Sequence, residues 1–275
     1  MSDLHLEFNS QDIRSIDSLV RHTVDVSDIT LLLAGDIGHP WVEAYWVFLI
    51  GCASRYKHVI FITGNHEYYN KKMVYSDIDK LITDRTKPSN LHFLNNSKIV
   101  IDGVTILGST MWSHIPKASR YEVSESMNDY NFIMTNTTKP LAPGLLGSTS
   151  DLSTKPKFIT VDDVNDLHTE SIKWLKSAVD DEPADSKIIV MTHHLPTFAL
   201  IHEQYKKYSK MNSAFASDLS RSGIFCSKIK YWVCGHTHNS MEHIDNSTGI
   251  HFLINPFGYE GENEQFNVKE FEIVN

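Results

Sequence analysis

Five apolar runs along the chain end in Gly, Asp, Asn or His, and in all but the third a metal-ligand residue type follows the apolar stretch. They are "ITLLLAGDIG" (residues 29–38), "HVIFITGNHE" (58–67), "GVTILGSTMW" (103–112), "KIIVMTHHLP" (187–196) and "IKYWVCGHTH" (229–238). Continuous apolar stretches of four to six residues suit strands buried on both faces. Helical stretches are expected between them, over about 12–22, 42–55, 73–83, 161–179 and 214–224. In the fourth, Val164, Leu167, Ile172, Leu175 and Val179 recur at roughly helical spacing. Strands alternating with helices predict an α/β domain. The last section, from Met241 through "GIHFLINP" to "NVKEFEIVN", reads as hairpin-like strands closing the sheets. Residues 135–158, rich in Thr, Ser, Pro and Gly, read as a long surface loop. No Pro- and Gly-rich linker divides the chain, so residues 1–275 are expected to form one domain.

Polar positions change this picture more than composition does. Asp36 follows "LLLAG", Asn65 and His66 follow "FITG", His193 and His194 follow "IVMT", and His236 and His238 follow "WVCG". Ligands of open α/β sheets gather at the carboxyl ends of strands, so these residues are expected in one cleft. Asp3 and His5 join them. One residue apart, they share a side if the chain is extended there. Carboxylate, imidazole and amide oxygens suit Mn, Fe, Zn, Ni or Co. Seven such donors exceed one tetrahedral site and fit two cations sharing a carboxylate.

The set D-x-H, G-D, G-N-H-E, T-H and G-H-T-H occurs here in order as "SDLH", "GDIG", "GNHE", "THH" and "GHTH". In this it resembles the calcineurin-like metallophosphoesterases. "GNHEYYN", "MNDYNFI", "ASDL" and "NPFGY" are similar to one bacterial-type subgroup. The resemblance implies a four-layer α/β/β/α sandwich and a metal-dependent phosphoric ester hydrolase. It also implies two divalent cations, one on Asp3, His5, Asp36 and His238, the other on Asp36, Asn65, His193 and His236. His66 would stay unligated and act as general acid or oxyanion stabiliser. Members of the family carry a full apolar strand before D-x-H, whereas here only Met1 precedes Ser2. The resemblance therefore implies a truncated first central strand.

The remaining residues and bulk properties refine these expectations. His39 and His194, beside presumed ligands, are candidates to orient them, and Glu67 is expected to orient its loop. Asn128, Asp129 and Tyr130 read as a hydrogen-bonded turn without a chemical role. "GDIGHP" lacks the phosphate-gripping arginine of Ser/Thr protein phosphatases, which disfavours that branch and tilts the reading slightly from monoesters to diesters. The net charge of −9 argues against a nucleic-acid binder, and no apolar stretch is long enough to span a bilayer. Three cysteines without a C-x-x-C pair exclude a disulfide framework and favour a reducing, cytoplasmic setting. The expected partner is a phosphorylated small molecule or nucleotide, with the oligomeric state left open. The competing reading is a catalytically silent scaffold of the same fold.

Overall fold

The computed structural model describes residues 1–9, 16–19, 25–86, 90–136, 155–264 and 266–273. In chain order the strands are β1 (Thr30–Ala34), β2 (His58–Ile62), β3 (Leu91–Phe93), β4 (Ser97–Ile101), β5 (Val104–Ser109), β6 (Met134–Asn136), β7 (Pro156–Phe158), β8 (Lys187–Thr192), β9 (Ile229–Cys234), β10 (Met241–Ile244) and β11 (His251–Ile254). The α-helices are α1 (Leu6–Asn9), α2 (Glu43–Ala53), α3 (Tyr75–Arg85), α4 (Arg120–Ser126), α5 (Asp129–Phe132), α6 (Val161–Asp180) and α7 (Ser209–Asn212).

Two sheets carry the fold. One is parallel, in the order β1-β2-β3, and the other runs β10-β11-β9-β8-β5-β4. Alternate side chains of a strand face opposite ways, and that alternation builds the layers. Leu32, Ala34, Ile60 and Ile62 meet Ile106, Ile189, Met191 and Val233 between the sheets. Leu31, Leu33, Val59 and Phe61, the intervening positions, pack under α2 and α3 residues such as Phe48, Leu49, Ile78 and Ile82. On the far side Ile188, Val190, Trp232 and Cys234 receive Leu175, Ala178 and Val179 of α6. The result is the expected α/β/β/α sandwich. Each large aliphatic side chain buried in these layers contributes about 2 kcal/mol. Helix α6 begins with a reciprocal cap, Thr160 N–H to Asp163 Oδ2 at 2.9 Å and Asp163 N–H to Thr160 Oγ1 at 3.3 Å.

Residues 1–3 stitch the sheets together. Ala34 N–H donates to the Met1 carbonyl at 2.9 Å and Asp3 N–H to that of Gly35 at 3.0 Å. On the other side Ser2 N–H reaches Asn255 O at 3.1 Å and Phe257 N–H reaches Ser2 O at 2.9 Å. Asp3 and His5 then leave the extended conformation, with φ of 53° and 46°. They reach the cleft through a left-handed bend and not, as expected, through shared strand geometry.

Other expectations need correction. Residues 214–224 form no helix, because bonds to the loop after β8 and one local side-chain bond take the backbone instead. Ser217 N–H donates to Leu195 O at 3.0 Å, Leu219 N–H to Pro196 O at 2.9 Å, and Ser220 N–H to Asp218 Oδ1 at 3.0 Å. Of the surface loop over 135–158, residues 137–154 lie outside the described residues, and the flanks pair as the antiparallel ribbon β6-β7. Most of 12–22 also lies outside them, and Ile16–Ser18 is a single 3₁₀ turn. Residues 241–254 do form a hairpin, β10-β11, but 267–273 join no ladder. There Phe271 stacks on Tyr231 at 4.1 Å. The three cysteines are free thiols. Among the described residues no helix is long and apolar enough to cross a membrane.

Candidate metal centre

The loops leaving β1, β2, β8 and β9 converge where the two sheets meet. They bring Asp36, Asn65, His193, His236 and His238 to one cleft, together with Asp3 and His5. Five of these seven residues hold a left-handed backbone: Asp3, His5, Asp36, His236 and His238. Residues with a Cβ rarely adopt it, and such strain collects at functional sites. The glycines before Asp36 and Asn65 have a steric cause. A Cβ on Gly64 would come within 2.2 Å of Asp36 Oδ1 and 2.6 Å of the His193 ring. One on Gly35, at φ 85°, would meet Gly64 N at 2.6 Å.

Around Asp36 the ligand atoms of His193 and His236 lie within 4.8 Å of one another and of its carboxylate. His193 Nε2 stands 3.3 Å from Asp36 Oδ2 and 3.2 Å from Asn65 Oδ1. Asp3, His5 and His238 form a second such group. In it the Nε2 atoms of His5 and His238 are 3.0 Å apart, and His238 Nε2 is 3.5 Å from Asp3 Oδ1. His5 Nε2 is 3.8 Å from Asp36 Oδ2, which places Asp36 between the groups. A third grouping includes His5, Asp36 and His66.

The donor chemistry fits cations. His193 Nδ1 donates to Ala34 O at 2.9 Å, His5 Nδ1 to Glu7 Oε1 at 3.0 Å and His238 Nδ1 to Glu262 Oε2 at 2.6 Å. Each bond sets the tautomer and turns an Nε2 lone pair inward. The Nε2 atoms of these rings face one another, or the oxygens of Asp36 and Asn65. His236 Nε2 is buried with no hydrogen-bond partner. An unpartnered buried polar atom is costly, and a divalent cation would satisfy all of these groups at once.

Electrostatics point the same way. Burial alone would raise the Asp36 carboxyl, but the His193, His66 and His5 imidazoles outweigh it and hold it well below the usual range. Burial opposes a charged His193, yet Asp36 lifts it to about 10, so a cation held there would displace a proton from Nε2. Burial, with His194 and His193 alongside, drives His236 well below its ordinary value. For His66 burial is again outweighed, by Asp36 and Glu7, and its pKa rises to about 9.

Among the supporting residues Glu7 carried no sequence signal, whereas Asp129 and Tyr259 lie in "MNDYNFI" and "NPFGY" without a role read for them. Glu7 Oε1 accepts from both His5 Nδ1 and His66 Nδ1, the latter at 2.9 Å. Asp129 Oδ1 accepts from Asn65 Nδ2 at 2.9 Å and from the Tyr69 hydroxyl at 2.7 Å, turning Asn65 Oδ1 toward His193. The expectation of no chemical role for Asp129 therefore missed its hold on a candidate ligand. The Tyr259 hydroxyl lies 3.4 Å from His66 Nε2. Glu67 matches its expectation: it accepts from Asp36 N–H at 3.0 Å, Gly64 N–H at 2.7 Å and Ile37 N–H at 2.7 Å. His194 packs on His236 with ring centroids 4.3 Å apart, whereas His39 stacks on Trp41 at 4.6 Å.

Known proteins share this arrangement of sequence and fold. The family description "calcineurin-like phosphoesterase" matches residues 1–240. The uncharacterized protein L509 of Acanthamoeba polyphaga mimivirus is 33% identical over 280 residues, covering 97% of this chain and 92% of that one. The phosphopantetheinyl hydrolase PptH of Mycobacterium tuberculosis superposes with a TM-score of 0.64 at 16% identity, covering 96% of this chain and 90% of its own. A dimetal phosphatase from Danio rerio gives a TM-score of 0.40 at 14% identity, covering 82% and 72%.

Proposed function

This chain belongs to the calcineurin-like phosphoesterase family, and from that premise we propose that it hydrolyses a phosphodiester or phosphomonoester of a small molecule or nucleotide on two divalent cations. Asp36 would bridge them, with Asp3, His5 and His238 completing one site and Asn65, His193 and His236 the other. Bound divalent cations of this kind supply water activation at neutral pH and neutralise charge on the phosphoryl group. Mn, Fe, Zn, Ni and Co all suit the donor set.

The rest is the work of side chains. Glu7 holds His66 Nδ1, so Nε2 is the atom free to act in the cleft. Glu7, which accepts from His66 Nδ1, favours the protonated imidazole, which would give a proton to the leaving oxygen or stabilise an oxyanion. General acid catalysis of this type contributes about 10²–10⁴-fold. Asp129 fixes the Asn65 amide, and Glu67 fixes the backbone on which Asp36 and Asn65 sit.

The observation that carries the reading is the convergence of the His5, His193, His236 and His238 imidazoles on Asp3, Asp36 and Asn65, with His236 Nε2 buried and without a hydrogen-bond partner. Diesters are favoured slightly, since among the described residues those lining the cleft include no arginine to clamp a dianion. The test is elemental analysis together with turnover of bis-p-nitrophenyl phosphate and p-nitrophenyl phosphate in added Mn. His66→Ala is expected to abolish turnover of an alkyl phosphoester, and to lower that of the p-nitrophenyl esters less, while leaving the metal content intact. A protein that holds two metals and turns over no phosphoester would support the silent scaffold instead. A cytoplasmic setting remains part of the proposal, consistent with free cysteines.

A further inference from the structure

A cavity of about 520 Å³ opens directly from Asp36, Asn65, His66 and His236. Its far wall is one short segment in which Ile201, Tyr205, Tyr208 and Met211 all line the cavity. Those positions are spaced by four, three and three residues across 3₁₀ turns and the start of α7. The charged residues between them are engaged elsewhere. Lys206 pairs with Glu203 at 2.7 Å, Lys210 approaches Glu122 at 3.8 Å, and Lys207 lies over the Tyr208 ring at 4.9 Å. The segment also lines the cavity with His202 and Asn212, the latter spending its amide on Tyr205 O at 3.0 Å, and its other four lining residues present rings, an aliphatic chain and a thioether to the cleft.

The same character continues up to the candidate centre. Phe215 lies 4.8 Å from the His236 ring, and Tyr69 stacks on His66 at 4.2 Å. Tyr69 spends its hydroxyl on Asp129 and contributes its ring face. A phosphoryl group seated beside His66 would therefore place its organic substituent against aromatic and apolar surface. Such a wall rewards planar or aliphatic groups and offers a charged one nothing for its lost hydration.

Resting on the phosphoesterase reading above, we propose that this recess selects the substrate: it binds the uncharged, planar or apolar organic group of the phosphoester. Substrates carrying a nucleobase or aryl group fit this description, and acidic phosphopeptides and polyphosphates do not.

Phenylphosphonate and methylphosphonate separate the two contributions, because they share a charged head and differ only in the group offered to the recess. Calorimetric titration of the Mn-loaded protein is expected to show phenylphosphonate binding at least about tenfold tighter. The double variant Tyr208→Ala, Met211→Ala is expected to cut that ratio to below about threefold. Tyr208→Phe, which keeps the ring, is expected to preserve it. Tyr208 is half-exposed, so its replacement does not threaten folding. Equal affinities in the parent protein, or a ratio unchanged in the double variant, would overturn the recess and leave the phosphoesterase intact. Binding of neither phosphonate would overturn the phosphoesterase reading itself, and the recess with it.

Discussion

The two halves of the candidate centre are built differently. Asp36, Asn65, His193 and His236 are buried and leave from strand ends of both sheets. Their supports are strand backbone and buried acids: Ala34 O under His193, Asp129 on Asn65, Glu67 on the Asp36 loop. Asp3, His5 and His238 depend instead on three N-terminal residues and on the loop around Tyr259 and Glu262. Asp3 and His5 are themselves buried, and the exposure of this half lies at His238, 15% exposed on its side chain, and at its carboxylate partner Glu262, 42% exposed. The deep half inherits its geometry from the sheets, and the rim half is held by loops that open at lower cost. The expected consequence is unequal metal affinity, tighter in the deep half.

The hardest blow to that distinction is Asp36→Asn, because Asp36 alone reaches both halves. Replacing the bridging carboxylate is expected to strip both metals and lower turnover by more than about 10³-fold. Retention of one tightly held equivalent in elemental analysis would show that the halves are independent. Glu262→Gln cuts on one side only. Loss of an acid that orients a ligating imidazole costs about 10–100-fold in metal affinity, here in the rim half. Titration with Mn is expected to leave one tight equivalent and weaken the other. Equal weakening of both would abolish the contrast.

Glu7 sits on the seam, accepting from a rim ligand, His5, and from His66. Glu7→Gln keeps the size and loses the charge that holds both Nδ1 protons. A loss of about tenfold is expected with an alkyl leaving group, which needs protonation, and less with p-nitrophenolate, which does not. An equal loss with both would mean that Glu7 acts through metal retention and not through His66.

The same contrast explains what could be read beforehand. The deep half was visible because it follows buried strands: an apolar run that stops at Asp, Asn or His marks a strand end and a ligand together. The layers were visible for the same reason, through β1, β2, β8 and β9 and through the periodicity of α6. Glu7 and Glu262 were not, and Asp129 and Tyr259 showed only as members of "MNDYNFI" and "NPFGY", without a role. They lie in short turns and loops without periodicity, and their partners are between about 25 and 195 positions away in several cases, as with Glu262 to His238 and Tyr259 to His66. The failed helix over 214–224 has a related cause. Its Ser and Asp side chains bond locally, and its amides serve the loop after β8. Those are tertiary choices that spacing does not encode.

The mildest expected effect on either half comes from Asp79 on α3, which touches neither. Its carboxylate accepts from the Tyr68 hydroxyl at 2.7 Å and from Asn95 Nδ2 at 3.0 Å. Burial outweighs those bonds and raises its pKa to about 6, against 3.8 ordinarily. The unfolded chain then releases this proton first as pH rises, so between about pH 4 and 6 it binds fewer protons than the native state. Stability falls across that window, by on the order of 2 kcal/mol, and stays lower above it. Asp79→Asn keeps an acceptor for Tyr68, and a flip of the Asn95 amide restores the second bond. In urea titrations the variant is expected to gain on the parent as pH rises from 4 to 7, with turnover and metal content unchanged. A stability difference that stays constant over this range would mean that Asp79 is already ionised at pH 4. Solvent would then reach α3 more freely than its packing implies, and the contrast between sheet-supported and loop-supported regions would lose its sharpest outside control.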